Sequence, residues 1–471
     1  MRARTLGGRE IDVSQDKVDT LKTRLRGQVL LPGDGGYDES RTVWNAMIDR
    51  RPALIARCIG KADVIACVRF AREHDLLLCI KSGGHNIAGL ATADGAFMLD
   101  LSFMRGVWVD RHWMIAHAQG GCLLGDVDYE TQLHGLATVL GFVSRTGIAG
   151  LTLGGGFGYL TRRWGWTSDN VVGMDVVTAD AQLVRASSEE NADLFWGLRG
   201  GGGNFGVVTG IDYLVYPLGP EIVGGVVAWP ADQAAGVLEL FRELAEKAPP
   251  ELTLAAMLRP APSAPWLPKE WHGKPIVGLL ACHSGNPEEA EKAVAPIKSF
   301  GKPIGDLLVR RPYAQMQSLL DATQPKGRRY YWKSEYLPGI EPALCQKAID
   351  HAGRIPSPFS AVILFQLGGA LSRLAEETSA AGNRDAQYVL NLTASWERAD
   401  ADKANIEWAR GAWNDMKSFS TGGTYVNFLT EDESPERVRA SLGNGLERLT
   451  EIKSRWDPEN VFRTNRNIVP G

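Results

Sequence analysis

Residues 81–89 read KSGGHNIAG and directly follow LLLCI at 76–80, an apolar run that suits a buried strand. Two glycines after a strand let backbone N–H groups converge on an anion. Lys81, Ser82, Gly83, Gly84, His85, Asn86 and Gly89 therefore form a first candidate binding segment. A second stretch, GIAGLTLGGGFG at 147–158, carries Gly147, Gly150, Gly154, Gly155, Gly156 and Gly158 together with Phe157. So glycine-dense a backbone lets a long planar or phosphorylated ligand touch the main chain. A third, RGGGGNFG at 199–206, contains a GxGxxG pattern at Gly201, Gly203 and Gly206. That pattern marks a dinucleotide site when it opens a helix. Here Val207 and the residues after it read as a strand, which disfavours a nicotinamide site. All three segments also fit tight turns between short strands, but three such loops, one holding a histidine, favour a phosphate-bearing cofactor.

The surroundings are mixed α and β. Residues 53–59 suit a strand, and 62–74 suit a helix with Val64, Cys67, Val68 and Ala71 at i, i+3, i+4 and i+7. Short β-like runs follow at 97–101, 114–118, 174–178 and 183–186, with a helix at 124–135. Near residue 217 the glycine-dense texture ends. β-like segments at 223–229, 276–282, 330–336, 360–367 and 387–396 then alternate with helical ones at 231–247, 287–300, 342–353 and 401–418. That alternation predicts antiparallel sheet covered by helices, an α+β organisation. A polar helix at 435–455 precedes a tail, DPENVFRTNRNIVP, apolar enough to dock.

With 471 residues, 44% hydrophobic and 23% charged, the chain is not disordered. A net charge of −4 lacks the basic footprint of a nucleic-acid binder. The six cysteines form no CxxC and no zinc-like spacing with histidine, so no metal is expected and buried free thiols are. There is no apolar N-terminal leader and no run of ~18 apolar residues. The expectation is a soluble, cytoplasmic protein without a membrane partner.

The quoted segments resemble the flavin-linked oxidases of the vanillyl-alcohol-oxidase fold, in the berberine-bridge-enzyme-like branch. The resemblance runs from about residue 52 to 470 and includes DNVVG at 169–173, LFWGLRGGGGNFGVVT at 194–209, YVN at 425–427 and DPENVFRTNRNI at 457–468. It implies a bipartite FAD-binding domain, 1–217 completed by 418–471, around a substrate domain at 218–417. On the matching motifs it extends the FAD contacts to Thr146, Asn170, Gly206, Val207, Tyr425, Asn427 and Asn465. It also implies a covalent bond from His85 to the flavin 8α carbon. Bicovalent members carry a cysteine where this chain has Val143, so a single bond through His85 is expected. Thr146 occupies a position that influences dioxygen access in the family.

The resemblance places Tyr425 beside flavin and substrate, with Asn427 expected on the same strand face, and Tyr425 hydrogen-bonding or deprotonating a substrate hydroxyl or amine. Asn391 stands where relatives have a carboxylate base, and an amide cannot take that role. Phe157 likewise replaces a tyrosine. This reduced acid–base set favours hydride loss from an amine-like carbon. Tyr331, Lys333, Glu335 and Tyr388 remain candidates for an unplaced acid or base, with a solvated ion pair as the plainer reading of Lys333. Trp332 and Trp396 fit either stacking platforms or core. The expected activity is an FAD-dependent oxidase acting on a CH–NH or CH–OH group of a small, ring-containing metabolite, with dioxygen as acceptor. A dehydrogenase with another acceptor, a carbohydrate oxidase and a non-catalytic flavin binder are the alternatives.

Overall fold

The computed structural model describes residues 1–471. Three sheets organise it. The first has the strand order Gln28–Leu30, Leu54–Arg57, Phe97–Asp100, Leu78–Lys81; its last two pairings are parallel, joined through the helix Lys61–Glu73. The second is antiparallel, in the order Leu183–Ser187, Val171–Val177, Val207–Leu214, Ile115–Gln119, Val107–Asp110. The chain then builds an eight-stranded antiparallel sheet from residues 221–396. Its main path is Gly305–Asp306, Glu221–Pro230, Pro275–His283, Leu252–Pro260, Ala361–Gln366, Tyr388–Trp396, Arg329–Leu337, and Val309–Pro312 pairs with the second of these.

Helices cover one face of the large sheet. Ala234–Lys247, Pro287–Ser299, Pro342–Ala352 and Asp402–Met416 pack on it through Val237, Leu238, Phe241, Val294, Leu344 and Trp408. The period-2 alternation of strand side chains sends the other face toward the glycine-rich half, where Val226, Ala255, Leu280, Phe365 and Val389 meet Phe157, Tyr159, Trp166 and Tyr425. The cavity described below forms between these two layers.

Leu252–Pro260, central in the large sheet, has no counterpart among the sequence expectations. LTLAAMLRP is rich in Leu and Ala, which favour helices as readily as strands, and a buried apolar run lacks a decisive period. The polar helix expected at 435–455 is two helices, Pro435–Ser441 and Leu446–Trp456. They are separated at Gly443, whose φ of 58° a helix cannot hold. The second glycine-rich segment is not wholly loop, because Ile148–Leu153 forms a short helix within it. All six cysteines are free and buried. The tail docks: Val461 and Phe462 enter the core of the first sheet, and Ile468 that of the second.

Candidate active site

Two glycine loops meet backbone to backbone at the floor of the cavity. A Cβ on Gly83 would stand 2.5 Å from Gly147 Cα, and one on Gly147 would stand 2.5 Å from Gly83 N. Only glycine permits this approach, which brings the loop after Leu78–Lys81 against the start of Ile148–Leu153. The cavity above it measures about 340 Å³, within the usual range for small-ligand sites. Of the sequence candidates it is lined by Ser82, Gly83, Gly84, His85, Asn86, Thr146, Gly147, Gly150, Gly154, Phe157, Gly206, Val207, Asn391, Tyr425, Asn427 and Asn465.

Six candidates stand behind the wall instead. Lys81 donates to Ser40 O at 2.6 Å and lies 3.6 Å from the Asp100 carboxylate. Gly89 packs on Ile48, Gly155 and Gly156 turn the chain, and Gly158 lies against the backbone of Leu140 and Gly141. Asn170 donates to Trp164 O and Trp166 O and accepts from the Tyr216 hydroxyl.

His85 presents its ring to the cavity. Its other side stacks on Trp44, with centroids 4.3 Å apart, and Trp44 stacks in turn on Tyr330. Nε2 is buried and has no hydrogen-bond partner. Burial pushes the imidazole down to about 4, so the ring is neutral at physiological pH. Trp44 precedes the recognised motifs, and its part in holding His85 was not foreseen.

Tyr425 and Asn427 do not lie on a strand. Tyr425 precedes a single 3-10 turn, Val426–Phe428, which folds the Asn427 amide back so that it donates to the Tyr425 hydroxyl at 2.8 Å. The same amide donates to Leu151 O at 3.2 Å. A Cβ on Gly154 would collide with it, at 2.4 Å from Oδ1, so the glycine there makes room for Asn427. Phe157 packs edge-on to Tyr425 at 4.9 Å. Burial raises the Tyr425 phenol above its ordinary value, although Asn427 acts in the opposite sense. A buried, protonated phenol is a hydrogen-bond donor and a poor base, which narrows the two expected roles of Tyr425 to the first.

Asn391 faces the cavity with Oδ1 buried and unpartnered. Trp332 also lines it, Nε1 unpartnered, with its ring edge-on to Phe428 at 5.1 Å. Trp396 is core, donating to Asp402 at 2.7 Å. The remaining acid–base candidates are excluded from the cavity by strand alternation. Tyr331 donates to Asp432 at 2.8 Å, and Lys333 donates to Glu433 at 2.7 Å in a buried, not solvated, pair. Glu335 accepts from Ser420 at 2.6 Å and is paired with Arg437. Tyr388 lies in the core under the helices.

The residues fit a flavin dinucleotide. The cavity runs from His85 past the glycine loops to Asn465 and Arg466, and polar atoms buried without partners recur along it: His85 Nε2, Asn465 Oδ1 and Arg466 Nε. Such atoms are costly unless a ligand or water satisfies them. Asn465 is anchored by donating to Gly203 O at 2.9 Å, and Arg466 by donating to Leu429 O at 2.6 Å. Arg466 and Arg259 are also on the cavity wall and were missed: Arg466 lies in the quoted DPENVFRTNRNI motif, but only its neighbour Asn465 was singled out, and Arg259 lies in no motif.

The family model described as an FAD binding domain matches residues 52–187, and that described as berberine and berberine like matches 424–469. The chain is 30% identical to (R)-6-hydroxynicotine oxidase of Paenarthrobacter nicotinovorans, across 95% of this chain and 97% of that one. It is 28% identical to glucooligosaccharide oxidase of Sarocladium strictum, across 92% and 91%. Its fold superposes on the crystal structure of 6-hydroxy-D-nicotine oxidase from Arthrobacter nicotinovorans with a TM-score of 0.84 at 29% identity, covering 95% of this chain and 98% of that one.

Proposed function

Because the chain belongs to the berberine-bridge-enzyme-like FAD-linked oxidoreductases, we propose that it is an oxidase that removes hydride from a CH–NH or CH–OH carbon of a small, ring-containing metabolite and passes the electrons to dioxygen, releasing hydrogen peroxide. The observation that carries this reading is the convergence on one cavity of a neutral, unpartnered His85 Nε2 with the Tyr425–Asn427 pair. Bound FAD supplies the two-electron acceptor. His85 is suited to attach it, since an uncharged imidazole is a nucleophile. The attachment is single: Val143 lines the cavity where a second bond would need a cysteine, and the Cys122 thiol is buried against Gly106 O at 3.5 Å. The small side chains of Val143 and Thr146 on the wall leave dioxygen room to approach.

Tyr425 orients the substrate. Its oxygen already accepts from Asn427, which leaves its proton free to be donated to a substrate nitrogen or oxygen. Asn391 can bind but cannot remove a proton. A neutral amine needs no strong base before losing hydride, so this cavity suits amine oxidation better than alcohol oxidation. The wall around Asn391, made by Met257, Ile363 and Phe365, is apolar and favours a ring over a polyol.

The test is acid precipitation of the purified holoprotein. Flavin that stays in the pellet, and leaves it in His85→Ala, supports covalent attachment; a screen for peroxide release then finds the substrate. A colourless protein that FAD cannot reconstitute overturns the reading.

A further inference from the structure

Arg259 is the last but one residue of Leu252–Pro260. Along that strand Leu254, Ala256 and Leu258 point into the core under the helices, so Met257 and Arg259 point the other way, into the cavity. Leu258 pairs with Val362, which sets Arg259 beside Ala361; Ala361 pairs with Thr393, and Thr393 with Trp332. The guanidinium thus heads a row whose next member is a methyl group, leaving the space in front of it open. Asn391 lies one row along, beside Ile363.

No carboxylate of the protein reaches this cation. Its Nε donates to Pro260 O at 3.1 Å and Nη2 reaches Pro358 O at 3.4 Å, while Nη1 has no protein partner. The nearby Arg328 is of like charge, lies 3.7 Å over the Phe359 ring and has Glu397 at 4.0 Å. Burial, and to a lesser degree Arg328, pushes Arg259 down to about 10, which still leaves it charged at neutral pH. Elsewhere on the same cavity wall, Gln324 Oε1, Trp332 Nε1 and Asn391 Oδ1 are buried without partners. Arg259 is half-buried, with its free Nη1 left open to the cavity; a partly desolvated cation without a counter-ion gains from an anionic ligand, and arginine's planar fork matches a carboxylate with two parallel hydrogen bonds.

We propose that Arg259 anchors a carboxylate on the substrate, so that the metabolite oxidised is an organic acid whose apolar body lies along Met257, Ile363 and Phe365. The word substrate rests on the oxidase reading above; the anion site itself does not. One free guanidinium matches a monoanion, which favours a carboxylate over a phosphate ester.

The test is calorimetric titration of the holoprotein with acids and their own amides: benzoate and benzamide, phenylacetate and phenylacetamide, nicotinate and nicotinamide, hexanoate and hexanamide. At least one acid should bind about tenfold or more tightly than its amide, the gain of a charge-assisted contact. Arg259→Gln should abolish that preference with amide affinity unchanged, and Arg259→Lys should restore part of it. No acid surpassing its amide in the wild-type protein overturns the proposal without any variant, as does a preference that survives Arg259→Gln. A protein that FAD cannot reconstitute but that still shows the Arg259-dependent preference would refute the oxidase reading and keep the anion site. A flavin-loaded one without the preference would do the reverse.

Discussion

Tyr425 keeps its proton because burial disfavours the phenolate, and it keeps its place because Phe157 and Phe428 pack edge-on to its ring, each at 4.9 Å. Tyr425→Phe preserves those contacts and removes only the donor. It should retain flavin and melting temperature while lowering kcat by about 10²-fold; an unchanged kcat would remove Tyr425 from the chemistry. At His85 the sign of the pH effect follows from a pKa depressed by burial. Between about 6.5 and about 4 the unfolded chain binds a proton that the folded apoprotein refuses, so stability is lost as pH falls through that window. Apoprotein carrying His85→Gln should lose less stability than wild type between pH 7 and 5 by chemical denaturation. Asp128 has the opposite sign. Both its oxygens are buried without partners, and burial raises its carboxyl well above the usual range. Asp128→Asn should therefore raise the melting temperature at pH 7, with an advantage that shrinks as pH falls toward the ordinary carboxylate range. At this scale the motifs picked out His85 and Asn427, which both line the cavity, but not the Trp44 stack behind the one or the 3-10 turn that positions the other. The sequence was silent on Arg259, whose meaning comes from a strand register and from the absence of a carboxylate nearby.

Among elements, the strand Arg329–Leu337 shows how alternation can be read correctly and its destination missed. Tyr331, Lys333 and Glu335 do share a face, but period alone does not say which face meets the cavity. They face the helix Asp402–Met416 and the C-terminal return, where Lys333, Glu433, Arg437 and Glu335 form a buried charge chain. The Lys333 and Glu433 side chains are 6% and 2% exposed, so neither can exchange its partner for water. Glu433→Ala should cost about 3 kcal/mol, measured by denaturant unfolding, because it removes the nearer carboxylate of Lys333, leaving only Asp432 at 3.8 Å, and takes a partner from Arg437. A loss below about 1 kcal/mol would mean that the pair is solvated in practice. The strand Leu252–Pro260 was illegible for a related reason: buried on both faces, it carries no polar alternation until Arg259 at its end.

Over the whole molecule, the cavity is closed by residues far apart in the chain. Its glycine floor comes from the first half, its apolar wall from the large sheet, and Asn465 and Arg466 from the last turn of the tail. Docking of that tail was legible in its apolar residues; the charge that pins it was not. Lys453 and Asp457 are paired at 2.6 Å with both side chains fully buried. Asp457 also accepts from Val461 N at 2.7 Å and Phe462 N at 2.9 Å, while Lys453 donates to Asn204 O at 2.8 Å and Phe462 O at 3.0 Å. The pair thus joins the helix Leu446–Trp456, the tail and the third glycine-rich loop at one point. Asp457→Ala leaves a buried ammonium unpaired and two backbone donors unsatisfied, a loss of about 3–5 kcal/mol or more. Because Val461 and Phe462 belong to the same core as Leu54, Val68, Phe97 and Val207, the tail should not peel away alone. In the Asp457→Ala holoprotein, flavin fluorescence and far-ultraviolet circular dichroism should therefore change at one shared, lowered melting temperature. Separate transitions, with the flavin signal changing first, would show the tail to be a flap that opens over an otherwise folded protein.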